Sequence, residues 1–337
     1  MIRHRLSAVL LAMLLVTLAL LTACGSNKTA EPSASSSAKP SASASAPATA
    51  SAPSGAEATI EIEHFMGKTK VPANPQRVVV LVNDAVEATL ALGIKPVGMV
   101  KAWGVNDKYD HLKDQLEGTE IVGDENQPNL EAISALKPDL IIGNKLRQEK
   151  IYDQLSSIAP TVFSERTNSD MSKNFKLYAQ ALNREAEGTQ KLAEFEKHVS
   201  DLKAKLGDKA NAKISLVRFY LEDKVRLYYH DTFPGGILKQ VGLQRPDSQN
   251  KEEFADIIGK ERIPEADGDY LFYFTLEDAK GQTSATEKAW LEDSLWKNLN
   301  AVKQGKAIKV NDGVWNSSGG IIAANLMLDD LEKYLLQ

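Results

Sequence analysis

The chain reads as an α/β protein of two lobes joined by one long helix, and three patterns in its sequence say so. From Ala58 onward, short β-branched runs alternate with helical stretches, the pattern of mostly parallel sheets. One long amphipathic stretch, Glu185 to Leu206, interrupts that alternation, which then resumes. With 337 residues, 43% of them hydrophobic, the chain has material for about two domains.

The elements follow in order. Arg3, His4 and Arg5 precede the uncharged run Leu6 to Leu21, which ends in small residues. That is the charge, core and exit pattern of a secretory signal, and the run falls short of the roughly 20 residues a membrane-spanning helix needs. Leu21-Thr22-Ala23-Cys24 resembles the bacterial lipobox, in which the Cys thiol receives a diacylglyceryl group and the chain is cut before it. Cys24 is the single cysteine, which excludes an internal disulfide framework and any Cys-based zinc site. The alternative is a buried free cysteine in a leftover apolar segment. Two acyl chains anchor stably, so the resemblance implies a protein on the extracellular face of the cell membrane, held by lipid only. Cleavage removes Arg3 and Arg5 and leaves 38 Lys+Arg against 45 Asp+Glu, a net charge of −7 in place of −5. Ser26 to Glu57, nearly all Ser, Ala, Pro and Thr, cannot bury enough surface to offset its ordering entropy and reads as a disordered tether with a reach of about 30 Å.

Arg77 to Val82 predicts a buried strand, followed by a helix from Ala85 to Leu92 that Gly93 stops. Pro96 to Val100, Asp139 to Gly143 and Pro160 to Phe163 predict further strands. In Glu185–Leu206, Leu192, Phe195, Val199, Leu202 and Leu206 recur at 3-4 spacing, giving one helix about 33 Å long. Beyond Gly207, strands are expected at Lys213–Leu221, Val225–His230, Tyr270–Thr275 and Ala307–Val310, with helices at Gly236–Val241 and from Ile321 to the end. The expected divisions are 1–23 signal, 24–57 lipidated tether, 58–184 first lobe, 185–207 connecting helix and 208–337 second lobe.

The acidic balance argues against nucleic acid as a partner. No Walker A, GxGxxG or GxSxG sequence occurs, so phosphate-loop, dinucleotide and α/β-hydrolase chemistry lack support. The five histidines (4, 64, 111, 198 and 230) show no HxxxH or HExxH spacing, which argues against a protein-ligated zinc site. His198, on the polar side of the long helix, is expected to be solvated. Ser317-Ser318-Gly319-Gly320 before the last helix suits either an anion cradle or a flexible helix start.

Several stretches resemble the iron-siderophore substrate-binding proteins of ABC transporters, the two-lobed class built on one rigid helix. They are Val71-Pro72-Ala73-Asn74-Pro75-Gln76-Arg77-Val78-Val79-Val80, Ala91-Leu92-Gly93-Ile94-Lys95-Pro96-Val97-Gly98, Pro128-Asn129-Leu130-Glu131-Ala132-Ile133 running into Leu136-Lys137-Pro138-Asp139-Leu140-Ile141-Ile142-Gly143, and Trp296 to Lys306. The resemblance covers essentially all of 58–337. It implies two Rossmann-like lobes with a ligand cleft between them and a monomer that is no enzyme and has no cofactor. It further implies that a ferric siderophore of hydroxamate or citrate-hydroxamate type is captured and handed to ABC permease subunits. Iron needs no protein ligand when the chelator supplies all its oxygens, so no direct metal site is expected.

Open α/β sheets hold ligands beyond the carboxyl ends of their strands. That places Lys101 and Trp103, then Asn144, Lys145 and Arg147, at the cleft from the first lobe. In the second, a turn at Glu222-Asp223-Lys224 would pair two runs as a hairpin and gather Arg218, Tyr220, Arg226 and Tyr228 on one face. Guanidinium offers forked donors for carboxylate and hydroxamate oxygens; a solvated sheet face with cations over aromatic rings is the plainer reading. Trp315 suits an apolar cleft wall or ordinary core packing. By motif, Glu131 and Glu261 match the family's permease-docking glutamates, and Glu131 also suits the first turn of a helix capped by Asn129. The rivals are a haem or corrinoid ligand, for which His230 is the candidate axial group, and a surface-anchored enzyme.

Overall fold

The computed structural model describes residues 58–167, 170–220 and 224–336. The signal segment, Cys24, the tether and the Glu222–Asp223 turn lie outside them. Twelve strands run among the described residues: β1 (Thr59–His64), β2 (Gly67–Pro72), β3 (Val78–Val80), β4 (Gly98–Met99), β5 (Glu120–Ile121), β6 (Leu140–Asn144), β7 (Thr161–Ser164), β8 (Ile214–Tyr220), β9 (Lys224–Tyr228), β10 (Ala255–Ile258), β11 (Tyr270–Thr275) and β12 (Ala307–Lys309).

The first sheet has the order β5-β4-β3-β6-β7 and is parallel throughout. Its central strand is three fully buried valines flanked on both sides, the composition a doubly covered parallel sheet requires. The order reverses at β3, so the chain forms a crevice beyond the carboxyl ends on either side of it. The second sheet, β10-β9-β8-β11-β12, is mixed: β8, β11 and β12 are parallel, while β8–β9 and β9–β10 are antiparallel. The expected hairpin is therefore formed, with Arg218 opposite Arg226. The antiparallel pair β1–β2 was not expected, although Thr59-Ile60-Glu61-Ile62-Glu63-His64 carries the alternation of a half-buried strand.

The connecting helix spans Glu185–Leu206. Glu185 and Glu187 sit in its first turn and Lys203 and Lys205 in its last, both complementing the helix dipole. Its buried stripe of Leu192, Phe195, Leu202 and Leu206 packs between the helices Met171–Ala181 and Ile321–Leu336, and one contiguous core reaches from Val78 and Val80 through this stripe to Leu216, Phe272 and Trp315. His198 is not simply solvated. Its Nδ1 lies 2.9 Å from Asn325 Oδ1 and its Nε2 lies 3.5 Å from Asp329, because the C-terminal helix packs along that side.

Asp84, at the start of the Asn83–Ala91 helix, is 3% exposed and accepts hydrogen bonds from Asn174 Nδ2, Tyr178 Oη and Ala85 N. Burial, with a smaller contribution from the nearby Glu125, raises its pKa to about 7 against the opposing hydrogen bonds. A folded-state pKa above the unfolded value means stability that is complete below about pH 4 and lost as pH climbs through 7. Asp84→Asn should accordingly flatten the fall in Tm between pH 5 and about 8, which a series of thermal melts would measure.

Candidate functional site

Strand ends place the site. The segments after β4, β5, β6 and β7, the third of them the short helix Lys145–Gln148, bring Trp103, Glu125, Asn126, Arg147 and Thr167 to one side of a cavity of about 420 Å³. β8 and β9 bring Arg218, Tyr220, Arg226 and Tyr228 to the other, and Phe233, Phe254, Asn316, Ser317 and Ser318 complete the wall. A volume of this size suits a small-molecule ligand.

The three arginines differ in what they touch. Arg218 is 5% exposed. Its Nε and one Nη grip Asp312 at 2.7 and 2.9 Å, its other Nη donates to Tyr228 Oη at 2.9 Å, and the Asp312-bound Nη also donates to Ser317 Oγ at 2.7 Å. Ser317 in turn donates to Asp312. Arg147 stacks over Trp103 at 5.6 Å, lies 3.6 Å from Glu125 Oε2 and donates to Asn126 Oδ1. The other oxygen of Glu125 accepts from Asn83 N and Nδ2, which fixes the carboxylate in the cavity wall. Arg226 lies over the rings of Tyr220, at 4.0 Å, and Phe254, at 5.9 Å. No carboxylate pairs with it among the described residues.

Six of the eight residues expected at the ligand therefore line one cavity: Trp103, Arg147, Arg218, Tyr220, Arg226 and Tyr228. Two do not. Trp315 is fully buried, its ring 4.6 Å from Phe272 and its Nε1 donating to Asp330, so it is core rather than cleft wall. Lys145 turns outward to Glu149 at 3.5 Å. His230 is bonded to Asn250 and does not line the cavity, which leaves the haem or corrinoid alternative without its axial ligand there.

The glycine-rich segment before the last helix does receive an anion, and the anion is internal. The Glu87 carboxylate accepts from Ser318 Oγ and from Ala323 N at 2.8 Å, with His111 Nε2 at 3.0 Å. A Cβ on Gly320 would lie 2.5 Å from Glu87 Cβ, so only glycine admits this approach. Glu131 is exposed in the first turn of its helix, with Asn129 Oδ1 accepting from Glu131 N and Ala132 N as expected. Glu261 is also exposed, in a short helical segment at Lys260–Ala266.

Sequence reasoning missed Glu125, Asn126, Thr167, Phe233, Phe254, Asp312 and Asn316, and met Ser317 and Ser318 only as a possible anion cradle. Glu125, Thr167 and Asp312 each follow a strand end, so the carboxyl-end rule reaches them once every strand is known. Trp103 is the one tryptophan that lines this cavity, while Trp290, Trp296 and Trp315 are buried. Ligand-induced quenching of intrinsic fluorescence should thus fall to a small residue in Trp103→Phe, while in Trp296→Phe it persists.

The family described as Periplasmic binding protein matches residues 78–312. The Bacillus subtilis (strain 168) protein named "Probable siderophore-binding lipoprotein YfiY" is 47% identical over 337 residues, spanning 97% of this chain and 98% of its own length. The Fe(3+)-citrate-binding protein YfmC of the same organism is 37% identical over 277 residues, 79% of this chain and 83% of that one. Among solved structures, Staphylococcus aureus SirA complexed with staphyloferrin B superposes with a TM-score of 0.76 at 35% identity, covering 82% of this chain and 99% of that one.

Proposed function

This chain belongs to the periplasmic binding protein family, and on that premise we propose that it is a receptor that captures a ferric siderophore of hydroxamate or citrate-hydroxamate type and delivers it to an ABC importer. The observation that carries the reading is the cavity between the two sheets, where guanidinium and phenol groups from the carboxyl ends of strands converge on one space. Such groups recognise the carboxylate and hydroxamate oxygens of a chelator, and the iron travels as cargo inside it. Relatives named for siderophore and ferric citrate binding support the same ligand class.

Under this reading residues 1–23 are a signal, 24–57 a lipidated tether, 58–184 and 208–337 the lobes, and 185–207 their connection. Glu131 and Glu261, both exposed carboxylates, would meet basic pockets of the permease. Among the described residues no helix is long and apolar enough to cross a membrane. Attachment in this reading is through lipid on Cys24. In Cys24→Ala the protein should leave the detergent phase and appear in the culture medium, as immunoblots of both fractions would register.

The ligand itself is tested by titrating residues 58–337 with ferric and iron-free siderophores. Saturable quenching by a ferric citrate-hydroxamate complex with Kd below about 1 μM, or roughly −8 kcal/mol, is expected. Absence of binding by every ferric siderophore tried would overturn the reading.

A further inference from the structure

The cavity holds three guanidiniums, but two of them are already occupied by carboxylates of the same chain. Asp312 takes Arg218 through two short hydrogen bonds, with the side chains only 6% and 9% exposed. Glu125, whose side chain is 7% exposed, stands 3.6 Å from Arg147. Among the described residues, Arg226 alone has only aromatic faces beneath it, and stacking leaves the edge of a guanidinium available to an acceptor. Three cations outside the cavity lining are also paired: Arg166 with Asp231, Lys145 with Glu149, and Lys251 with Asp256. The adjoining groove past Trp103 sets Lys101 against Asp124, Glu125, Glu277 and Asp278. Counted over the described residues, the ligand space is therefore far less positive than its arginine content suggests, and carries about one uncompensated charge.

We propose that Glu125 and Asp312 are specificity-determining residues that set the ligand's net charge, so that the cavity takes a ferric complex bearing a single negative charge. This rests on the ferric-siderophore reading above and narrows it. Ferric iron held by three hydroxamates is neutral at its centre. Held by two hydroxamates and one doubly deprotonated α-hydroxycarboxylate it is singly negative, and held by three catecholates it is triply negative. A neutral complex would bury Arg226 without a counter-charge, whereas a triply negative one would face the Glu125 carboxylate in the cavity wall and an Arg218 whose charge Asp312 already offsets, with Arg226 the one guanidinium left free among the described residues. The singly negative complex leaves neither residue.

The test compares three ferric probes, a trihydroxamate, a citrate-dihydroxamate and a tris-catecholate, against the wild-type chain, Glu125→Gln and Asp312→Asn. Circular dichroism first establishes that each variant is folded. The wild type should prefer the citrate-dihydroxamate complex by at least about tenfold over both others. Each substitution should shift the affinity ratio of tris-catecholate to citrate-dihydroxamate by about tenfold or more toward the former, a change that a purely structural role would not produce. If Asp312→Asn does not fold, Glu125→Gln decides alone. An unchanged ratio in the folded variants, or a wild type that prefers the neutral or triply negative probe, overturns the proposal. Failure of every probe to bind folded wild-type protein overturns the siderophore reading instead, and this inference with it.

Discussion

Replacing Arg226 with alanine is expected to weaken ferric siderophore binding by about 10- to 100-fold, or ~1.5–3 kcal/mol, the usual worth of a hydrogen bond to a charged group. The expectation follows from what surrounds the side chain. Tyr220 and Phe254 hold the guanidinium in place through their faces, and no protein carboxylate consumes its donors among the described residues. Arg226→Lys keeps the charge but loses the fork and the flat stacking surface, so its affinity should fall between the two. Calorimetric titration of the three proteins would order them. Equal affinities would remove Arg226 from the ligand site, and because the residue is only half-buried, thermal stability should hardly change.

Asp312→Ala should do the reverse, acting on stability before binding. It strands Arg218, 5% exposed, without its counter-charge. Breaking a buried ion pair from one side costs about 3–5 kcal/mol, a large part of the ~5–15 kcal/mol that holds a domain folded. A fall in Tm of roughly 10 °C is expected for a protein of this size. The double variant Arg218→Met, Asp312→Leu should recover much of that loss, since apolar replacements of similar volume often match a buried pair. It should still bind poorly, because Tyr228 and Ser317 lose the group that orients them. A double variant no more stable than Asp312→Ala would show that the pair is not the source of the loss.

The second-lobe face was legible because alternation in a hairpin is a local property. Val217, Phe219, Val225 and Leu227 turn to the core, and that alone forces Arg218, Tyr220, Arg226 and Tyr228 the other way. The long helix was legible for the same reason, its apolar stripe repeating over six turns. Trp315 was not, since a tryptophan after a strand suits a cleft wall or a core equally, and only the position of Phe272 and Asp330 decides. Asp312 and Glu125 escaped because their meaning lies in partners 94 and 42 residues away. Two-residue strands such as β4 and β5 carry too little pattern to announce the loops that follow them.

The internal carboxylate at the last helix bears on how this chain acquires its structure over time. Glu87 is fully buried, and its partners Ser318 and Ala323 lie 231 and 236 residues downstream. Until those residues exist, the buried acid of the Asn83–Ala91 helix has His111 but lacks its two distant hydrogen-bond donors, and the first lobe cannot finish its core. Contacts of such span form late and slow the search for the native state. Under the proposed reading of residues 1–23 as an export signal, this delay has a use: a nascent polypeptide that cannot close early stays extended enough to be threaded across a membrane, and folding would complete once the C-terminus has arrived.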